Sequence, residues 1–159
     1  MTVAIRPVRL REKDDLRALF DPYLSAQADL ADPERRRLDP ATYPYFDLYW
    51  TETDRLPFWI IADRERAGFV LVNSWSPSGL GVDCAIAEFY VKPTFRRTGV
   101  GRRAALMALG LKQGWWELQV YRANPDGMAF WPRVLDDAQV AERQELPRED
   151  CVIHRFRTV

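Results

Sequence analysis

The amino-acid sequence predicts an α+β domain, and three patterns in its 159 residues carry that expectation. Short apolar runs with the period of strands occur along most of its length. Between residues 84 and 121 a strand, a helix and a strand follow closely, as in a βαβ unit with parallel strands. Elsewhere successive strands are joined by turns, which makes the remaining pairs antiparallel. The expected order is β-α-α-β-β-β-α-β-α-β-β: a mixed, mostly antiparallel sheet of about seven strands covered by helices.

Each element has its own signal. Val3 to Leu10 alternates like a strand. Leu16, Leu19, Phe20, Tyr23 and Leu24 then fall at i, i+3, i+4, i+7 and i+8, the apolar stripe of a helix. Pro22 should bend or end that helix early, because its ring meets the preceding turn and it has no N–H. Residues 29–44 are charged and proline-punctuated, with Glu34-Arg35-Arg36-Arg37 reading as a solvated face. Tyr45 to Trp50 reads as a short aromatic helix. Phe58 to Ala62 and Phe69 to Val72 flank the polar turn Asp63 to Gly68, a hairpin with a loop longer than the tightest types. Ser76 to Gly81 is a loop.

Cys84 to Val91 is the next strand. Gly99 to Lys112 follows as a helix with Val100, Ala104, Met107, Ala108 and Leu111 on one face. Leu118 to Tyr121 completes the βαβ unit. Asn124-Pro125-Asp126 opens another helix with asparagine at the cap, proline at the first helical position and an acid in the first turn. Pro132 should kink it. Strands near Gln139 to Gln144 and Cys151 to Phe156 finish the order.

Bulk composition narrows the function classes. The chain has 47% hydrophobic and 13% aromatic residues, enough for a substantial core, and its length fits one domain over residues 1–159 or one with a short appendage. Basic and acidic residues number 23 each, which argues against a nucleic-acid or membrane-surface partner. Met1 to Arg6 has no apolar run of signal-peptide length and no stretch approaches membrane length. Cys84 and Cys151 read as structural thiols in a reducing cytoplasm, with a bridge left open by sequence alone.

Against that neutral background, residues 96–103 read Arg-Arg-Thr-Gly-Val-Gly-Arg-Arg. A strand, a glycine loop and an arginine-rich helix start make a polyphosphate seat. Main-chain N–H groups at the helix N-terminus face the anion, glycines admit it closely and arginines neutralise it. A P-loop would need lysine and then Ser or Thr after its last glycine, where this chain has Arg102-Arg103. Gly99 to Ala104 does read G-x-G-x-x-A, the dinucleotide fingerprint. That motif opens a parallel sheet and wants an acid near the end of the second strand, whereas the nearest acid, Glu117, falls at the start of its strand. A solvated helix start behind two turn glycines would leave the same pattern.

The segment from Phe89 to Gly101, with Arg-x-x-Gly-x-Gly at its end, resembles the strand and signature loop of the GNAT N-acetyltransferase superfamily. Leu118 to Val120, then Asn124, Phe130-Trp131 and Leu135, is similar to that family's next strand and helix. Ile5 to Arg9 with the helix after it, and the Ile60 to Val72 hairpin with Gly68, are similar to its first half. The resemblance implies one sheet with helices on both faces, whose central parallel strands splay apart to hold coenzyme A. It implies acetyl-coenzyme A as the acyl donor, with the pyrophosphate held by Arg96, Arg97, Thr98, Gly99, Val100, Gly101 and Arg102. The pantetheine arm would lie along Phe89, Tyr90 and Val91, with Val91 N–H polarising the thioester carbonyl. Asn124 would face the far wall, and Phe130 and Trp131 would pack on the arm or beneath it, Phe130 more as core. No metal is implied, and the acceptor is a primary amine on a small molecule or peptide. Dimers are common in the family, so a homodimer is compatible with it.

Acetyl transfer requires an uncharged amine, and a lysine-like amine of pKa near 10.4 is neutral in about one molecule in two thousand at pH 7. Glu88 is the candidate base, set in an apolar strand on the face of Tyr90 and opposite Phe89. A solvated or arginine-paired glutamate is the competing reading. Two positions depart from the family's pattern: Trp131 stands where a tyrosine often serves as acid, and Gln119 where some members have a glutamate. Solvent, Tyr121 or Tyr90 would then protonate the thiolate. These departures make a non-catalytic acyl-coenzyme A-binding or regulatory module the alternative. His154, the only histidine, reads as structural. Tyr43, Tyr45, Phe46, Tyr49 and Trp50 read as core packing, or with Asp47 as a receiver for a cationic amine.

Overall fold

A seven-stranded sheet of order β1-β2-β3-β4-β5-β7-β6 carries the molecule. The structure is a computed structural model that describes residues 1–30 and 43–159. Its strands are β1 (Val3–Pro7), β2 (Leu56–Ala62), β3 (Glu65–Asn73), β4 (Cys84–Val91), β5 (Gly114–Tyr121), β6 (Ala141–Pro147) and β7 (Cys151–Thr158). Its helices are α1 (Lys13–Leu30), α2 (Val100–Leu109) and α3 (Pro125–Asp137). The β4–β5 pair is parallel and the other five are antiparallel, as the sequence order requires. The run Glu34 to Arg37 lies outside the described residues.

Helices cover both faces. On one, α1 buries Leu16, Phe20 and Tyr23 against Trp59, Phe69 and Leu71. On the other, α2 lays Val100 and Ala104 over Val3, Ile60 and Ala67, while α3 sets Trp131, Val134 and Leu135 on Trp116, Leu118 and Phe156. Among the described residues no helix is long and apolar enough to cross a membrane.

Several local expectations change in the fold. Pro22 does not end α1, which runs on to Leu30. Its apolar stripe is buried on both sides of the proline, each side chain worth about 1.5–3 kcal/mol, against a cost of about 3 kcal/mol for an interior proline. The β2–β3 hairpin turns on Asp63 and Arg64 alone, both at positive φ (47° and 73°), so the loop is of the shortest kind. Gly68 lies within β3 and not in the turn. A Cβ there would sit 1.9 Å from the Tyr90 carbonyl oxygen, so only glycine lets β3 and β4 approach. The aromatic helix is a 3-10 turn over Asp47–Trp50. The buried stripe of α2 is Val100, Ala104, Ala105, Ala108 and Leu109; Met107 and Leu111 turn out to solvent. β5 begins four residues earlier than expected, which places Glu117 in mid-strand. Pro132 sits inside α3, which continues to Asp137.

Candidate active site

β4 is irregular where the chemistry is expected. Leu71 of β3 pairs with Glu88, but the next residue, Val72, pairs with Ile86, so Ala87 is an extra residue in the strand. This β-bulge resets the alternation. Cys84 and Ile86 face α2 and α3, and Ala87 faces α1. Beyond it Phe89 returns to the α2 and α3 side and Tyr90 to the α1 side. Strict alternation would have set Ile86, Glu88 and Tyr90 on one face. Glu88 and Tyr90 share a face, as expected, and the bulge is what parts both of them from Ile86.

The bulge also marks where β4 and β5 part. Their ladder pairs Cys84, Ala85 and Ile86 with Trp116, Glu117 and Leu118 and then stops. Further along, Lys92 N–H donates to Ala67 C=O at 2.8 Å, so that peptide group faces β3. Alternation then turns the N–H and C=O groups of Phe89 and Val91 toward the gap.

The loop beyond β4 is shaped by main-chain geometry. Arg97 (φ 60°) and Gly99 (φ 85°) are both left-handed, and Thr98 Oγ1 donates to Phe95 C=O. Gly99 caps α2 with no side chain, so the first-turn N–H groups have no cap from the protein. A Cβ on Gly101 would lie 3.4 Å from Val91 Cγ2 and 3.6 Å from the Phe130 ring, filling the space between loop and strand. These donors and this close approach fit a polyphosphate.

The arginines do not share that task equally. Arg96 Nε donates to Val91 C=O at 2.8 Å and its guanidinium lies 5.6 Å from the Tyr90 ring, so it braces the strand end. Val91 N–H is left facing the gap. Arg102 is paired with Asp137 at 2.5 Å, and Arg103 donates to the Met1 carbonyl at 2.6 Å. Arg97 has no partner among the described residues. The anion seat is therefore mainly backbone, with Arg97 as its ready cation.

Glu88 is half-buried and enclosed by phenols. Tyr23 Oη donates to Glu88 Oε2, and the Tyr43 hydroxyl also favours the charged carboxylate. Tyr43 is hydrogen-bonded to Tyr49, whose hydroxyl accepts from Asn73 Nδ2 at 3.4 Å. Burial pushes the Glu88 carboxyl up to about 7, and the two phenols hold it from going higher. Burial likewise raises Tyr23 well above the ordinary phenol range, so it remains protonated. Such a carboxyl can exchange a proton near neutrality.

The remaining candidates fall in different places. Asn124 caps α3, its Oδ1 accepting from Gly127 N–H at 3.0 Å. Trp131 is buried with its ring edge-on to Phe89 at 5.2 Å and to Phe130 at 5.0 Å. Phe130 is half-buried above it. Gln119 is exposed on β5. His154 is buried with Nδ1 unpartnered, and burial lowers its pKa. Cys84 and Cys151 are buried and not joined in a disulfide. Asp47 is exposed and paired with Lys13 at 2.7 Å, away from a receiving role. Tyr23 is the site's unannounced member, its helical spacing also describing core, while Tyr43 and Tyr49, expected as core or as part of an amine receiver, stand instead beside Glu88.

Comparison with known proteins supplies independent findings. The chain matches the model of the acetyltransferase (GNAT) family over residues 16–136. An acetyltransferase from Thermus thermophilus is 16% identical with a TM-score of 0.69, covering 99% of this chain and 97% of its own. The PaiA N-acetyltransferase from Thermoplasma acidophilum, solved with coenzyme A, is 15% identical with a TM-score of 0.64 over 97% and 98%. A spermidine N-acetyltransferase from Vibrio cholerae, solved with coenzyme A and spermine, is 11% identical with a TM-score of 0.62 over 98% and 94%. No curated protein matches the chain. At these identities the solved structures speak to fold.

Proposed function

Since the chain belongs to the acetyltransferase (GNAT) family, we propose that it moves the acetyl group of acetyl-coenzyme A to a primary amine by direct attack. The observation that carries this reading is the parting of β4 from β5 at Ile86, with Glu88 on one side of the gap and the uncapped start of α2 at its mouth. The loop from Arg96 through Arg102 receives the pyrophosphate on its main-chain N–H groups, Arg97 supplying charge. The peptide groups of Phe89 and Val91 bond the pantetheine arm, and Val91 N–H polarises the thioester carbonyl, a role worth about 3 kcal/mol. Tyr90 braces the strand from the other face. Phe130 lies under the arm, and Trp131 fixes Phe89 and Phe130 from within the core. Asn124 shapes the far wall by capping α3.

Glu88 accepts the amine's proton as nitrogen attacks the carbonyl. A group titrating near 7 is largely ionised above neutrality and returns its proton readily. The leaving thiolate takes a proton from solvent or from Tyr121 or Tyr90. Two buried cysteines not joined in a disulfide suit a reducing compartment, the cytoplasm.

The test is release of coenzyme A thiol from acetyl-coenzyme A with a panel of polyamines, aminoglycosides, amino acids and peptide N-termini. Activity with any one supports an enzyme, and a flat panel with intact coenzyme A binding supports the regulatory module. Calorimetric titration with coenzyme A should show Arg97→Ala weakening binding more than Arg102→Ala. Unchanged affinity in both would misplace the seat.

A further inference from the structure

Among the described residues, half-buried Glu88 has no cation as its partner. Its first neighbours on the α1 face are phenols. Tyr23 is 5% exposed, with its ring edge-on to Phe69 at 5.2 Å and to Tyr90 at 5.6 Å. Packing therefore aims its hydroxyl at Oε2, and the hydrogen bond does not have to order the ring. Tyr43 packs edge-on against Phe20 at 5.0 Å and reaches the same carboxylate from the segment ahead of the 3-10 turn. Two separate parts of the chain thus close on one side chain.

We propose that Tyr23 and Tyr43 are positioning residues for Glu88, two neutral donors that clamp the carboxylate where an arginine would otherwise hold it as a permanent anion. The proposal rests on the reading of Glu88 as the base. A guanidinium would fix the carboxylate in its charged form, whereas a phenol orients it and still allows it to take a proton. The chain continues from Tyr43 to Tyr49 and on to Asn73, with the Arg55 guanidinium beside the Tyr49 ring at 5.7 Å. Neither end carries a proton away: an amide does not titrate and a guanidinium does not deprotonate. The network is an anchor, and the amine's proton leaves on the gap side of Glu88.

Among the described residues, the groups that act on or with Glu88 are Tyr23 of α1 and Tyr43 and Tyr49 of the segment ahead of β2, with Tyr90 of β4 two residues along on the same face. Tyr121 of β5 acts on Tyr23 through space, and Arg55 lies 5.7 Å from the Tyr49 ring.

The test needs no acceptor. The full chain, labelled with carboxyl-13C glutamate, is titrated by NMR, and the Glu88 resonance is assigned by its loss in Glu88→Gln. The wild-type midpoint should lie near 7. Tyr23→Phe keeps the ring and removes the donor, so the midpoint should rise by about one pH unit, a tenfold change in proton affinity. Tyr43→Phe should act in the same direction and serves if Tyr23→Phe does not fold. Midpoints unmoved in the folded variants overturn the clamp. The base reading fails separately: if Glu88→Gln transfers acetyl to an active acceptor at the wild-type rate, Glu88 is not the base whatever the midpoints do. If Glu88→Gln abolishes transfer while the midpoints stay still, the clamp alone is lost.

Discussion

Two glutamates on adjacent parallel strands, Glu88 of β4 and Glu117 of β5, meet opposite fates. Glu117 is fully buried and receives Ser76 Oγ at 3.0 Å, Ser78 N–H at 2.9 Å, Ser78 Oγ at 2.6 Å and Arg155 Nη1 at 2.5 Å. Burial pushes its pKa up, but Ser78, Arg155 and Ser76 outweigh burial and hold it below the ordinary carboxylate range. Among the described residues Glu88 meets only phenols, and burial wins. The difference is the donor set: serine hydroxyls, a main-chain N–H and a guanidinium on Glu117 against phenols on Glu88. A satisfied anion becomes a structural pin, here holding the Ser76 to Gly81 loop to the sheet, while a clamped but unneutralised carboxyl remains able to titrate.

The largest expected effect is on the pin. Glu117→Leu strands Arg155, whose side chain is 11% exposed, and should cost about 3–5 kcal/mol. Urea unfolding at pH 7 measures it, and a loss below 1 kcal/mol would dissolve the contrast. Glu88→Gln should do the reverse. The folded carboxyl titrates near 7 and the unfolded one near 4.5, so the folded state holds the extra proton between these values. Stability is therefore lost as pH rises through that window. The glutamine variant escapes that loss and should gain up to about 3 kcal/mol at pH 8, from about 1.4 kcal/mol per unit. The gain should vanish below pH 4.5, as melting curves across pH would read.

Smaller effects sharpen the same contrast. Ser78→Ala removes one of the pin's donors and should cost about 1–2 kcal/mol in urea unfolding at neutral pH. Glu117 is held below its unfolded value, so its contribution is present above about pH 4.5 and lost as pH falls further. Glu12 behaves alike: the bond from Arg6 leads in holding it down to about 2, with Arg9 N–H and Arg66 assisting. Glu12→Gln should flatten the stability profile between about pH 4.5 and 2, with little further change above it.

Much of this site was legible in the sequence because its signals are local. Gly99 and Gly101 in an arginine-rich run announce a turn of special backbone geometry at a helix start. Glu88 stands out as an acid in an apolar strand. Asn124-Pro125 states a cap that the fold builds, with Asn124 Oδ1 on Gly127 N–H. Other residues were ambiguous for a physical reason. Tyr23 sits in an apolar stripe where a phenol and a phenylalanine pattern alike, and only the position of Glu88 across the interface gives its hydroxyl a task. Arg96, Arg102 and Arg103 look alike in sequence, yet their partners Val91, Asp137 and Met1 lie 5, 35 and 102 residues away.

By itself the sequence determined the elements, their order, the parallel pair and the loop that precedes α2, since periodicity, caps and glycine positions act over a few residues. Tertiary structure decided the rest. It placed a bulge at Ala87, parted β4 from β5 at Ile86 and gave one buried glutamate an arginine and the other two phenols. Those outcomes depend on which side chains meet across the sheet, and burial sets the charge of a carboxyl only after its neighbours are in place.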